Sequence, residues 1–414
     1  MHSSALSNRN FLIYLIGNTI SLHGLWIYRV ALGWYAWQLS ESEFWVGVVA
    51  FTQFFPVVLF GPIFGVLADR FDRRAASFLI NVLSGLNMVL LALLSGLGTV
   101  DIYVLCVLAF MQGTLDGAHM PVRMSLVPNL VPTEQLHSAI ASTSISFNLS
   151  RFFGPAIAGM IIAYVGVSAA FATNAITYVA ILSALMLIKL NPTSRSEPRH
   201  SDVWNQLKEG VKYVLNHKPI RLVLTVIAIA SVFGRGSLEM LPAYADGVLQ
   251  GGSRALAILT SAMGLGAIVS GILLSRGTHW LNIGVVASGV IVGGLLIALL
   301  GRIDTFWIAA ATVIALGFVL SLCGVGSQIL MQTMVEDDIR GRVSSLWGMV
   351  AFGGTAFGGL LIGTIATIIG LTNTIIAAGL IATTLSLIVL LRRQKKATGA
   401  TSSPDHSNHS ATNQ

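Results

Sequence analysis

An all-α, polytopic membrane protein, with twelve transmembrane helices in two pseudo-symmetric six-helix bundles, is predicted by three features of the sequence. The first is composition. The chain is 54% hydrophobic and only 10% charged, where soluble domains carry about 25% charged residues. A chain this apolar would precipitate from water, so a bilayer is its solvent. The second is segment length. Twelve mostly apolar runs are each long enough to cross a membrane, which takes about 20 residues. The third is a repeat. A shift of 204 residues, without a gap, aligns Gly113 with Gly317, Val131 with Val335, Gly154 with Gly358, Gly159 with Gly363 and Gly166 with Gly370. Two parallel halves related by an axis along the membrane normal are a transporter signature.

The runs fall at about 11–38, 44–68, 75–97, 102–127, 138–164, 168–190, 220–245, 254–275, 283–300, 306–333, 343–369 and 372–391. The first ten residues, MHSSALSNRN, are polar and lead into an apolar run too long for a signal peptide. Most connections are short. The long internal one, 191–219, opens polar and then places Val203, Leu207, Val211 and Leu215 four apart. That spacing predicts an amphipathic helix lying along the inner membrane surface. The domains are therefore 1–190, a first six-helix bundle; 191–219, a linker; 220–392, a second bundle; and 393–414, a polar tail expected to be disordered.

Orientation follows from the basic residues. One alternating set of loops holds 18 Lys and Arg, from Arg9 to Lys396, and the other holds Arg254 and Arg302. The first set is expected in the cytoplasm, with both termini. A missed helix would scramble this bias, so it also supports the count. The net charge of +7 does not point to nucleic acid, because the basic residues sit in short breaks between apolar runs. Cys106 and Cys323 both fall inside runs, with no disulfide or metal spacing.

The second run ends in Gly61–Arg74, GPIFGVLADRFDRR. Gly61 and Gly65 share a helix face and allow a close backbone approach. Asp69 sits where the helix leaves the lipid, and Arg70, Arg73 and Arg74 follow. The stretch resembles the loop between helices 2 and 3 of the major facilitator superfamily, G-x-L-A-D-R-x-G-R-[RK]; Asp72 stands where that pattern has its second glycine. In run five, SRFFGPAIAG from Ser150 to Gly159 is similar to the antiporter motif G-x-x-x-G-P-x-x-G-G, with Gly154, Pro155 and Gly159 in place. Taken as residues alone, it is equally a packing face. A third family motif, an arginine three before Gln-Gly in helix 4, is missing: Ala109 precedes Gln112 and Gly113. The DRFDRR loop, LVPNLVPTEQL (Leu126 to Leu136), RFFGP and RGRV (Arg340 to Val343) together resemble the superfamily's bacterial exporters of siderophores and drugs.

Charges at the bilayer centre cost at least ~2.5–3.5 kcal/mol each. Those at depth are Arg29 in run 1, Asp116 and Arg123 in run 4, Arg151 in run 5, and Arg235 and Glu239 in run 7. The resemblance implies that helices 1, 4, 7 and 10 line a central cavity and that 2, 5, 8 and 11 gate it. Arg123 and Asp69 both come out at the inner ends of their helices. Gly65, Asp69, Arg70, Arg73, Arg74 and Arg123 are therefore expected to form a conformational latch; Arg123 snorkelling to the interface is the alternative. Arg29, Asp116, Arg151, Arg235, Glu239 and His23 are the candidates for substrate binding and proton coupling. Each acid can exchange a proton or form a permanent ion bridge, and His23 can titrate or stay neutral and hydrogen-bonded. Aromatics crowd the first two runs: Trp26, Tyr28, Trp34, Tyr35, Phe51, Phe54 and Phe55. They suit a flat ligand, packing or, for Trp34, Tyr35 and Trp37, an interfacial belt.

The expected function is secondary active transport by alternating access. The resemblance implies proton-driven efflux of an amphipathic metabolite, siderophore or drug from a bacterial inner membrane. A proton-coupled importer and a non-transporting receptor or assembly factor are the alternatives. There is no G-x-x-x-x-G-K-[ST] pattern for ATP and no nucleophile–base spacing for an enzyme. The expected partners are a small solute, protons and lipid. A monomer without cofactor, metal or nucleic acid is expected.

Overall fold

Lipid offers a backbone no hydrogen bonds, so each apolar run must close its own ladder as a helix. A computed structural model describes residues 4–68, 72–189 and 203–400. The first half comprises α1 (Arg9–Ser40), α2 (Glu43–Ala68), α3 (Arg73–Gly96), α4 (Ile102–Leu126), α5 (Leu136–Tyr164) and α6 (Val167–Leu187). The connector helix α7 covers Val203–Asn216. The second half comprises α8 (Lys218–Val248), α9 (Gly252–Ser275), α10 (Ile283–Leu300), α11 (Phe306–Met334), α12 (Asp337–Ile369) and α13 (Leu371–Ala400). Among the described residues there are twelve helices long and apolar enough to cross a membrane, as the sequence predicts. The last helix continues to Ala400, past the expected start of a disordered tail at 393. Gln394, Lys395, Lys396 and Ala397 are good helix formers and extend the ladder.

Polar residues at the breaks fix the helix starts. Asn8, Asp101 and Asn282 accept from backbone N–H groups in the first turns of α1, α4 and α10. Asp72 does the same for α3, accepting from the Ala75 N–H at 2.7 Å. The acid that replaces the family's glycine is thus a cap, and its charge also suits the helix N-terminus.

The repeat is built into the packing. Gly113 of α4 and Gly317 of α11 each lie on a carbonyl of the second helix in their own half, those of Gln53 and Met263. Gly154 of α5 and Gly358 of α12 lie against the first helix of each half, at Trp26 and Val232. Gly159 and Gly363 reach across to the other half, at Ala257 of α9 and Glu43 of α2. None of these six positions leaves room for a Cβ. Gly166 and Gly370 turn the chain into α6 and α13 with φ of +109° and +85°, values that favour glycine.

α8 breaks the symmetry. Its counterpart α1 is a regular helix, whereas α8 widens twice. The Gly236 N–H reaches back five residues to the Ser231 carbonyl, and the Leu249 N–H five residues to that of Tyr244. Such wide turns cluster at functional sites.

The halves meet along a seam at the end opposite the termini. There Trp37 Nε1 of α1 donates to Asp246 Oδ2 of α8 at 2.9 Å. Phe51 and Phe55 of α2 pack on Phe357 of α12, and Phe54 stacks on Phe352, with centroids 5.3, 5.9 and 6.4 Å apart. Contact continues to mid-membrane, where Gly264 of α9 packs on Arg151 and Phe152 of α5 and Val58 of α2 meets Gly353 of α12. Among the described residues, α4 and α5 share no packed face with α11 or α12 towards the terminal end. The seam is closed at the far end and parted at the terminal end.

α7 docks on α12 through Gly210, beside Arg342 and Leu346, and through the Arg342–Glu209 ion pair. Among its described positions Gly210 and Val214 are buried; Val211 and Leu215, on the face expected to be apolar, are exposed. That leaves them available to a membrane surface.

Candidate functional site

Three of the expected guanidiniums converge at the seam. Trp26 of α1 sits between two of them: Arg29 Cζ is 4.9 Å and Arg151 Cζ 5.6 Å from its ring centroid. Arg29 also lies 5.6 Å from the Phe54 ring. Arg235 comes from the second half, its Nη2 against Gly324 of α11, where a Cβ would stand 2.8 Å away. The three lie within electrostatic reach of one another. The Nε groups of Arg29 and Arg151 and the Nε1 of Trp26 are buried without a protein hydrogen-bond partner.

Glu239 faces the same space. Its stem packs over Gly359 of α12, 3.6–3.7 Å from where a Cβ would be, beside Ala50 of α2. Arg29 and Arg235 are its nearest charges. Among the described residues no ion pair joins it to either.

Asp116 is not in that group. It accepts from Gln112 Nε2 at 3.0 Å, and Gln112 in turn meets Asn87 of α3 and Tyr178 of α6. It opens on a cavity of about 50 Å³ inside the first bundle, beside Asn18, Asn81, Ser84, His119 and Arg123, with room for about one or two waters. Asp116, His119 and Arg123 lie three, four and seven residues apart on one face of α4, leading towards the terminal end. Arg29 is within reach of both Asp116 and Glu239 and so stands between the two acids.

His23 lies in the α1–α5 contact. Its Nδ1 is 2.8 Å from the Thr19 carbonyl and 3.0 Å from Ser150 Oγ. A carbonyl only accepts, so Nδ1 carries the proton. Ser150, which replaces the first glycine of the run-five motif, serves this contact. Within that motif Gly154 packs inside its own half and Gly159 across the seam. Pro155 has no N–H for the Arg151 carbonyl, and Gly264 of α9 packs on that carbonyl from the other half.

Of the expected latch, Asp69 and Arg70 lie outside the described residues, and with them the pairing of Asp69 with Arg123. Gly65 is within α2 and Arg73 starts α3. Arg74 donates to the Met186 carbonyl at 2.7 Å and so ties α3 to the end of α6 within one half. Among the described residues no group of three His, Cys, Asp or Glu could hold a metal.

The aromatic expectations are refined. Phe51, Phe54 and Phe55 spend their rings on the other half. Tyr35 is buried against Phe171, and Trp37 is a clasp across the seam, so neither is a belt residue. Sequence reading missed His119, although it lies one turn from Asp116. It also missed Asp246, Phe352 and Phe357, which are signalled by nothing local.

The model of a family described as transmembrane secretion effectors matches residues 2–413. The staphyloferrin A transporter of Staphylococcus aureus (strain NCTC 8325 / PS 47) is 25% identical over 366 residues, 86% of this chain and 89% of that protein. The enterobactin exporter EntS of Escherichia coli O1:K1 / APEC is 24% identical over 301 residues, 72% of this chain and 71% of that protein. Among solved structures, a bacterial homologue of the lysosomal transporter Spinster, inward-facing and occupied, superposes with a TM-score of 0.72 at 13% identity, covering 94% of this chain and 97% of that one. The nucleoside transporter NupG superposes with a TM-score of 0.68 at 13% identity, covering 92% and 98%.

Proposed function

The chain belongs to the transmembrane secretion effector family of the major facilitator transporters, and from that premise we propose that it exports a small amphipathic metabolite of the siderophore kind in exchange for protons. It is a multi-pass membrane transporter and not an enzyme. The proposed setting is a bacterial inner membrane, with both termini in the cytoplasm and the protein working as a monomer. The conformation described above is then the inward-open one.

One observation carries the reading. Arg29, Arg151, Arg235 and Glu239 come together at the seam from both halves, under a closed far side, with no ion pair among them in the described residues. A solute held there is held by both bundles, so binding and rocking are coupled. Siderophore transporters among the relatives support the solute class, and the enterobactin exporter supports the outward direction.

Glu239 and Asp116 are the proposed proton carriers, with Arg29 the charge each meets when it ionises. His23 is a packing residue in this reading. Gly65, Asp69, Arg70, Arg73, Arg74 and Arg123 remain the proposed latch of the inner side. The test is counterflow into inverted membrane vesicles. An exporter loads them with solute when their lumen is acid, and Asp116→Asn removes the acid dependence. Loading driven by an alkaline lumen would make the protein an importer and overturn the proposal.

A further inference from the structure

The exporter reading leaves the solute's charge open, and the inference that follows rests on that reading for the site's role. Buried charges are kept in pairs because desolvation is costly. At the seam this rule is broken. Three guanidiniums face Glu239, with Asp116 the second acid in reach of Arg29, and none of the three has an ion-pair partner among the described residues. The hydrogen-bonding surplus has the same sign. Arg29 Nε, Arg151 Nε and Trp26 Nε1 are all donors, all buried and all without a protein acceptor. The walls beside them are aromatic: Trp26 between two guanidiniums, Phe54 against Arg29 and Phe147 at 5.8 Å from Trp26. A cationic solute would meet this surplus of positive charge, and a neutral one would leave the charge uncompensated.

We propose that the solute is an organic polycarboxylate, with one carboxylate taken by Arg29 and Arg151 of the first half and another by Arg235 of the second. Arginine suits the task, because its planar fork bonds a carboxylate through two parallel N–H groups. The division between halves has a mechanical result. A monocarboxylate satisfies one bundle only, whereas a dicarboxylate or tricarboxylate draws the two together. Glu239 opposes the anion while ionised and ceases to do so once protonated, so the anion leaves more readily as Glu239 loses its proton, and the proton exchanged for the anion is the one carried by Asp116.

The test is equilibrium binding to the purified full chain in detergent by isothermal titration calorimetry. The probes are citrate, aromatic trimellitate, their neutral ethyl esters and tetraphenylphosphonium. Citrate or trimellitate is expected to bind at least about tenfold more tightly than its ester, and Arg151→Gln or Arg235→Gln to weaken that binding about tenfold or more. Glu239→Gln is expected to tighten it, a change that a misfolded variant would not give. Ester binding equal to that of the acids, anion binding indifferent to the arginines, or preference for tetraphenylphosphonium would overturn the assignment. Acid-driven loading of inverted vesicles would stand in that case, and only the solute class would fall. If the anions bind as expected and no solute loads, the site stands and the exporter reading falls.

Discussion

Gly47 gives the sharpest test of the closed seam. A Cβ placed there would stand 2.6 Å from the Gly359 carbonyl oxygen and 3.2 Å from Leu360 Cα, both backbone atoms of the other half. An ordinary carbon–oxygen contact is about 3.3 Å, so Gly47→Ala requires α2 and α12 to separate by about 0.7 Å. Overpacking on this scale costs about 1–3 kcal/mol. The cost is paid only while the far end is closed, so it moves the equilibrium towards the far-open state by about 5–150-fold. The assay is a pulsed electron-spin distance measurement between labels at Gln38 and Gln250, both exposed at the far end. Cys106 and Cys323, both free thiols, would be replaced by serine in this background. A longer distance should appear beside the short one and should grow with the larger Gly47→Val. A single short distance in both variants, with thermal stability retained, would refute the claim that this contact holds the seam.

Gly236 contacts Gly358 within the second half, 2.6 Å from its carbonyl carbon where a Cβ would be; Gly236→Ala should therefore lower the Tm in a thermal-shift assay and leave the Gln38–Gln250 distance unchanged. Trp37→Phe removes the hydrogen bond to Asp246 and should weaken far-side closure by about 0.5–1.5 kcal/mol, read by the same labels. Asp72→Ala removes the cap of α3 and should cost about 0.5–2 kcal/mol, measured as a lowered Tm with transport largely kept. Asp69→Asn should slow transport in vesicles while solute binding persists, and unaltered turnover in that variant would sink the latch.

The elements were readable because lipid imposes a minimum length and forbids unpaired backbone, so twelve runs became twelve helices with small boundary shifts. The half-to-half relation was readable chiefly from glycine. Six of the glycines matched by the 204-residue shift lie where a neighbouring helix leaves no room for a Cβ, and two make turns with positive φ. The in-membrane charges were readable because each is costly. Their grouping was not. Asp116 and Arg151 are both charges at depth, yet Gln112, Asn87 and Tyr178 hold Asp116 within its own bundle. Depth follows from counting residues along a helix; facing depends on neighbours far away in the chain. The same limit hid the bond between Trp37 and Asp246, which are 209 residues apart. The wide turns of α8 escaped because nothing in an apolar composition records which carbonyl each N–H selects, although Gly234, Gly236 and Pro242 mark where the ladder is weak.

Those two turns give the duplicated architecture an uneven division of labour. A regular rod resists bending, whereas one with loosened rungs yields locally at little cost. α1 can therefore act as the stiff reference and α8 as its compliant twin, carrying Arg235 and Glu239 on the part that gives. Opening of the far side would then start as a flexure within one copy of the bundle rather than as a mirrored swing of both, and the strokes of the two halves would be unequal in size and in order.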